Sequence, residues 1–257
     1  MGDYESFQGR FLSLSGIDLT RYKEKQMRRR IEARIERLGY AGYEEYLIAL
    51  ENGPSQLAAF IDYITINVTE FFRTPEHWKT LSETILPKLT ERFGKELRIW
   101  SAGCSTGEEP YSLAMALLSM SAPPDFKITA TDIDERVLSL ARTGEYAASK
   151  AESVPEALRT RFFTQTEHGY RIKDFVRERV EFRKADITRD AFPDRLHLIV
   201  CRNLLIYLTD DAKEKVFRGF RDSLLPGGCL FRGKAEQIVY YKNQGLSKPA
   251  SGFYFKN

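Results

Sequence analysis

The residues best suited to chemistry in this 257-residue chain sit in a few short polar runs. Gly103-Cys104-Ser105-Thr106-Gly107-Glu108-Glu109-Pro110 follows a β-rich segment and opens an apolar helical pattern. A glycine turn lets backbone approach a ligand closely, and the helix after it presents free N–H groups. The turn lacks the G-x-G-x-x-G spacing of a dinucleotide site, and Glu108 and Glu109 at the helix start would repel a pyrophosphate. The same two carboxylates suit a cationic ligand, such as the ammonium or sulfonium end of S-adenosylmethionine (SAM). Complementing the helix dipole is the alternative role for both.

Other strand ends carry polar groups where an open α/β sheet binds its ligands. Asp132 closes a second strand 29 residues after Gly103 and can accept hydrogen bonds from both hydroxyls of a ribose. Helix capping is the alternative, and Asp134 offers a second carboxylate to share the two roles. Asp186 follows a third strand and can accept from an adenine amino group. Arg202, Asn203 and Tyr207 follow a fourth, although a tyrosine in an apolar run is also an ordinary core residue. In Asn67-Val68-Thr69-Glu70-Phe71-Phe72-Arg73, Asn67 and Thr69 can cap a helix. Arg73 can grip a ligand carboxylate with its planar fork, or lie on the surface of a linker.

These groups need a scaffold, and the chain spells one out. Leu97–Ser101, Lys127–Thr131, Val180–Arg183, Leu196–Cys201 and Cys229–Arg232 read as strands. Helical patterns at 108–120, 134–142 and 210–224 alternate with them, and another at 75–93 precedes the first strand. The alternation predicts an α/β fold, a Rossmann-like parallel sheet with helices on both faces. Arg161–Asp174 reads as an antiparallel β hairpin, which places a short insertion at about 160–183.

The first 66 residues show no strand and no glycine loop. Tyr22–Leu38 carries Met27, Ile31, Ile35 and Leu38 at helical spacing, with Gly39 as its stop. Tyr43–Leu50 and Pro54–Ile66 read as further helices, the second burying Leu57, Phe60, Ile61 and Ile64. The expected organisation is a small all-α domain over 1–66 and an α/β domain over 67–257.

Composition narrows the function classes. Hydrophobic residues make up 42% and charged residues 29%, an ordinary globular balance. No apolar run reaches the roughly 20 residues of a membrane span, and no secretory signal pattern opens the chain. Three dispersed cysteines form no metal-ligand pattern with the three histidines, so a reduced, cytoplasmic protein without a metal is expected. The net charge of +3 hides a local excess: eight basic and three acidic residues lie between Arg21 and Arg37. Arg30, Arg34 and Arg37 share one helical face, and Arg28 stands in a second row with Arg21 and Lys25. An acidic partner or a plain solvated face both fit this pattern.

Taken together, N-V-T-E-F-F-R at 67–73, W-S-A-G-C-S-T-G-E-E-P at 100–110, A-T-D-I-D at 130–134 and C-R-N-L-L-I-Y at 201–207 resemble the CheR family of chemotaxis receptor methyltransferases. The resemblance spans nearly the whole chain, including the helical domain and the hairpin. It implies a SAM-dependent methyltransferase domain, SAM as methyl donor, S-adenosylhomocysteine (SAH) as product and a receptor glutamate as acceptor. Carried over by motif, it assigns Asn67, Thr69, Arg73, Glu109, Asp132, Asp186, Ile187, Arg202 and Asn203 to the cofactor. It sets Arg73 and Tyr207 nearest the transferred methyl. Asp186 stands where other members carry Asn. The compact hairpin looks like that of the Bacillus-type members, which work without a receptor tether.

A glutamate carboxylate is ionised at neutral pH, so this chemistry needs no general base. The resemblance also implies docking to the glutamate-rich helical bundle of the receptors, for which the basic helix with Arg28, Arg30, Arg34 and Arg37 is a fitting complement. A cytoplasmic monomer that neither enters the membrane nor binds nucleic acid is expected. Competing readings are a SAM-dependent methyltransferase for RNA or another protein, an NAD-linked oxidoreductase and a SAM-sensing adaptor that does not catalyse. The strand edge R-N-L-L-I-Y differs from the Asn-Pro-Pro-aromatic edge used on adenine amines, and Glu108 and Glu109 disfavour NAD.

Overall fold

Phe7 and Phe11 lie one helical turn apart, and both are buried on helix α1 (Tyr4–Ser15). The computed structural model describes residues 4–94, 96–233, 236 and 244–257. It divides into two units: the chain up to Asn67 with Tyr207–Lys215, and Val68–Ile206 with Val216–Asn257.

In the first unit, α2 (Glu24–Leu38), α3 (Tyr43–Asn52) and α4 (Pro54–Thr65) join α1. The ring of Phe60 on α4 meets Phe11 at 5.1 Å and Tyr46 at 5.3 Å, both edge-on. Met27, Ile31 and Ile35 form the buried stripe of α2. Leu38, expected on that stripe, is 46% exposed because Gly39 ends the helix in the left-handed conformation at once. On α4, Phe60 and Ile64 are buried, while Leu57 and Ile61 are only half-buried. The segment from Tyr207 joins this unit through backbone bonds: Lys23 N–H donates to the Tyr207 carbonyl at 2.9 Å, and Thr209 N–H to that of Arg21 at 2.9 Å.

The second unit begins with α5 (Pro75–Thr80) and α6 (Leu86–Phe93), joined by a π-helical turn at Leu81–Ile85. One uninterrupted helix was the expectation for 75–93. Pro87 has no N–H to donate to the preceding turn, which accounts for the wider turn there. Next come β1 (Glu96–Ala102), α7 (Glu108–Leu118), β2 (Asp125–Asp132), α8 (Glu135–Thr143), β3 (Glu145–Tyr146), α9 (Ala148–Ala151), α10 (Glu156–Phe162), β4 (Phe163–Thr166), β5 (Gly169–Ile172) and α11 (Asp174–Arg177). The unit continues through β6 (Val180–Lys184), β7 (Leu196–Cys201), the C-terminal part of α12 (Asp210–Ser223), β8 (Leu224–Arg232), β9 (Leu246–Ala250) and β10 (Phe253–Lys256).

Seven strands form one sheet in the order β6-β2-β1-β7-β8-β10-β9. The β6–β8 portion is parallel, and β10 runs antiparallel to both of its neighbours. Every residue of β7 is buried, as a central strand covered on both faces requires. The chain winds outward from β1 to β2 and β6, then returns to the other side of β1 as β7. In such sheets the ligand crevice lies at that reversal, here outside the C-terminal ends of β1 and β7.

The β insertion differs from the expected hairpin. Its strands β4 and β5 pair as predicted, and β3 adds a third to give the order β3-β5-β4. Val180–Lys184 lies outside it and pairs with β2 in the main sheet, so the insertion does not extend to 183. Two residues of β3 are too few to show alternation in the sequence. A Cβ at Gly169 would fall 2.2 Å from the Tyr146 carbonyl oxygen, so the approach of β3 to β5 requires glycine there.

Candidate active site

The first strand end is held by the second. Gly103 and Cys104 N–H both donate to the Thr131 carbonyl, at 2.8 and 3.0 Å, and Ser105 N–H donates to Asp132 Oδ2 at 2.8 Å. Asp132 Oδ1 accepts from Asp134 N–H at 3.1 Å. The cap of α8 is Asp134, which accepts from Arg136 N–H, so the two aspartates divide the two roles. Each Asp132 oxygen retains a lone pair after its backbone bond, which leaves a forked acceptor at the end of β2. Burial pushes its pKa up against those backbone bonds.

Gly107 starts α7 at φ 93°, and a Cβ there would lie 3.0 Å from both Ala141 Cβ and the Tyr146 hydroxyl. The two glutamates that follow part company. Glu108 is fully buried, accepts from Thr106 Oγ1 at 2.7 Å and pairs with Lys150 of α9. It is therefore tied into the fold, contrary to the expectation that both carboxylates suit a ligand. Glu109 points to the sheet, where Ser101 Oγ donates to its Oε1 at 2.9 Å and Arg202 Nη1 stands 3.9 Å from its Oε2. Burial, partly opposed by Arg202 and Ser101, lifts its pKa from 4.5 to about 7.

Arg73 is placed by its phenylalanine neighbours. Phe71 packs edge-on against Tyr146 and Phe163, and Phe72 against Trp78. Phe72 N–H donates to Ser112 Oγ on α7 at 3.0 Å, and that hydroxyl donates to the Glu108 carbonyl at 2.7 Å. Phe72 and Thr74 both hold positive φ, at 51° and 64°. The Arg73 carbonyl accepts from Trp78 Nε1 at 3.0 Å and from Arg202 Nη2 at 2.7 Å, while its own Nη1 donates to the Val68 carbonyl at 3.2 Å. Arg202 is 7% exposed, and its guanidinium carbon lies 4.8 Å from the Phe231 ring centroid. Burial lowers its pKa, and Glu109 opposes that fall.

One residue escaped the sequence reading. Glu236 is 5% exposed, and its carboxylate accepts from Asn203 N–H and Leu205 N–H at 2.8 Å each and from Gly233 N–H at 3.2 Å. Asn203 holds φ 61° between these bonds. Glu236 follows the end of β8 at Arg232 as Asp132 closes β2, so a search for acids at strand ends could have found both.

The remaining expected residues fall as follows. Thr69 is half-buried in the Val68–Arg73 segment. Asp186 accepts through Oδ1 from both the N–H and the hydroxyl of Thr188, at 2.8 and 2.7 Å, and Ile187 beside it is half-buried. Asn67 and Tyr207 belong to the helical unit, where Asn67 Nδ2 donates to Thr65 Oγ1 at 2.9 Å and Asp62 Oδ1 at 3.2 Å. Of the expected docking arginines, Arg30 donates through Nε to the Tyr63 carbonyl at 2.8 Å. Arg30, Arg34 and Arg37 place their guanidinium carbons 4.4, 5.1 and 5.6 Å from the Tyr63 ring centroid. Arg28 pairs with Glu32 at 3.0 Å.

Among the described residues no cluster of His, Cys, Asp or Glu could hold a metal ion, and no helix is long and apolar enough to cross a membrane. Comparison with known proteins accounts for both units. Residues 2–65 match the CheR methyltransferase all-alpha domain, and residues 67–252 match the CheR methyltransferase SAM binding domain. A chemotaxis protein methyltransferase of Listeria innocua is 39% identical over 241 residues, 94% of this chain and 92% of its own. One from Borreliella burgdorferi is 34% identical over 255 residues, 94% of this chain and 89% of its own. One from Salmonella typhimurium is 35% identical over 234 residues, 87% of this chain and 80% of its own. With both domains matched in order and the strand-end carboxylates in place, the chain belongs to the CheR methyltransferase family.

Proposed function

We propose that this protein transfers the methyl group of SAM to glutamate side chains of a bacterial chemotaxis receptor, forming methyl esters that set sensory adaptation. The observation that carries the reading is Glu109. It is a buried carboxylate at a strand-end crevice with no cation among the described residues closer than 3.9 Å, in a chain that carries a SAM-binding methyltransferase domain. A ligand ammonium would supply the missing charge. The forked acceptor of Asp132 suits a ribose diol, and the Arg73 guanidinium suits a ligand carboxylate. The donor set therefore fits an amino acid joined to a nucleoside, as SAM is.

When bound, SAM supplies a methyl group on a positively charged sulfur. The receptor glutamate is already ionised at neutral pH, so no residue of the chain has to remove a proton. The new O–C bond forms as the C–S bond breaks, and two opposite charges are lost together. Excluding water from the crevice favours that loss of charge. What the chain contributes is placement. Arg73, fixed by Phe71, Phe72 and Ser112, orients one reactant. The family resemblance adds Asn67, Thr69, Asp186 and Ile187 to the cofactor contacts and Tyr207 to the reacting groups.

Docking of the receptor's acidic bundle falls to the arginines of α2. Arg37 and Arg28 are exposed, whereas Arg30 is committed to Tyr63. The protein acts in the cytoplasm as a monomer, without a metal and without a receptor tether. Fragmentation mass spectrometry of a receptor cytoplasmic fragment, incubated with enzyme and SAM, tests the reading. Added methyl groups on glutamate side chains support it. Methyl groups on lysine or arginine nitrogen, or on RNA alone, would replace it with another methyltransferase activity.

A further inference from the structure

Arg202 and Asn203 lie between β7 and a short 3-10 turn at Leu205–Tyr207, and Asn203 sits at φ 61°, a conformation that non-glycine residues seldom adopt. Such a turn persists only where the surroundings hold it. Three backbone N–H groups around it, those of Asn203, Leu205 and Gly233, all end on one carboxylate, that of Glu236. Oε2 takes two of them and Oε1 the third. We propose that Glu236 is a positioning residue for the cofactor: it fixes the backbone that presents Arg202 and Asn203 at the crevice, without touching the ligand itself. The proposal rests on the reading above that Arg202 and Asn203 bind SAM.

Three further observations support it. Glu236 is 5% exposed, so its carboxylate serves the interior of the sheet edge rather than solvent. A buried carboxylate needs a counter-charge, and the Arg232 guanidinium at the end of β8 is 2% exposed and lies in the field of Glu236. A Cβ at Gly233 would come within 2.9 Å of Glu236 Oε2, so glycine there keeps the carboxylate's approach open. The two sides of the crevice are thus built alike. Asp132 takes a backbone N–H from the turn after β1, that of Ser105, and Glu236 takes two from the segment after β7, those of Asn203 and Leu205.

The experiment is a double-mutant cycle on the full chain, read as SAH affinity by calorimetry. Asn203→Ala removes a proposed ligand contact, and Glu236→Gln keeps the shape while replacing one acceptor oxygen by a donor. Each single change is expected to weaken SAH about tenfold. The double variant should lose less affinity than the two single losses combined, because Glu236 acts in part through Asn203. Turnover of Glu236→Gln should recover at saturating SAM, so KM rises while kcat holds. A circular dichroism melt of each variant confirms that the fold is retained, and Glu236→Asp serves in its place if the Gln variant does not fold. Unchanged affinity in Glu236→Gln, or fully additive losses, would overturn the positioning role while leaving the Asn203 reading intact. Unchanged affinity in Asn203→Ala would instead sink the cofactor reading of Asn203, and the proposal with it.

Discussion

Arg202 reaches Glu109 from the neighbouring strand end, but its Nη1 stops 3.9 Å short while its Nη2 is bonded at 2.7 Å to the Arg73 carbonyl. The arginine is thus committed to the backbone, and the buried glutamate is left only partly neutralised. Burial lifts Glu109 toward neutrality, Arg202 opposes that rise only in part, and room is left for a cation brought by the ligand.

Binding should therefore depend on pH through Glu109. A ligand ammonium prefers the ionised carboxylate, whereas below about pH 7 Glu109 is mostly protonated. SAH affinity should fall by up to about tenfold per pH unit as pH drops from 7 toward 5.5. Calorimetry across that range checks this, and Glu109→Gln should flatten the profile. A wild-type profile already flat would count against Glu109 as the ammonium acceptor.

The same shift has a consequence for stability. A carboxyl whose folded pKa is raised, here from 4.5 to about 7, loses stability as pH rises through that window. Above it the fold holds a buried charge that the unfolded chain leaves in water. Glu109→Gln should melt a few degrees higher than wild type at pH 8, with the gain vanishing near pH 4.5, even as it weakens SAH binding. Differential scanning calorimetry at both pH values reads it.

Asp132→Asn offers a donor where the native carboxylate accepts from Ser105 and Asp134. One N–H is then left unsatisfied, at a cost of about 1–3 kcal/mol in chemical denaturation. SAH affinity should drop about tenfold or more. Stability lost without affinity would mean that Asp132 only braces the turn.

The arginines of α2 should separate into two kinds. Arg30→Ala removes the partner of the Tyr63 carbonyl in the last turn of α4 and should cost about 1–2 kcal/mol of stability. Arg37→Glu should leave stability within about 0.5 kcal/mol and reduce receptor methylation several-fold with SAH affinity unchanged. Equal methylation by Arg37→Glu and wild type would remove that arginine from the docking surface.

Tyr207→Phe should lower turnover more than SAM affinity, as a residue beside the reacting groups would. Parallel losses in both would assign Tyr207 to cofactor binding alone.

What the sequence disclosed and withheld follows from how far each residue's partner lies along the chain. The strands β1, β2, β6 and β7 and the helix α7 were legible because burial on one or both faces leaves a local pattern. Asp132 and Arg202 were legible as polar residues at the ends of those strands, and Glu109 as one of two acids opening α7. Strands β9 and β10 were not legible: Pro249 interrupts the first, and the second spans four residues. Glu108 and Glu109 look alike in sequence, and only the meeting of α7 with Lys150 of α9 tells them apart. Arg30 read as one of a charged row because its partner is a backbone carbonyl 33 residues away. Glu236 was hidden likewise, since it binds backbone N–H groups of a turn about 30 residues earlier, which no side-chain pattern records.

The central claim is the chemical nature of the bond formed. SAM labelled on its methyl group, a receptor cytoplasmic fragment and this enzyme should give a labelled receptor, which is then treated with mild base. A carboxyl methyl ester releases its label as volatile methanol, and that release is the predicted result. Label that stays on the protein after base would show transfer to nitrogen or another stable position and contradict glutamate esterification.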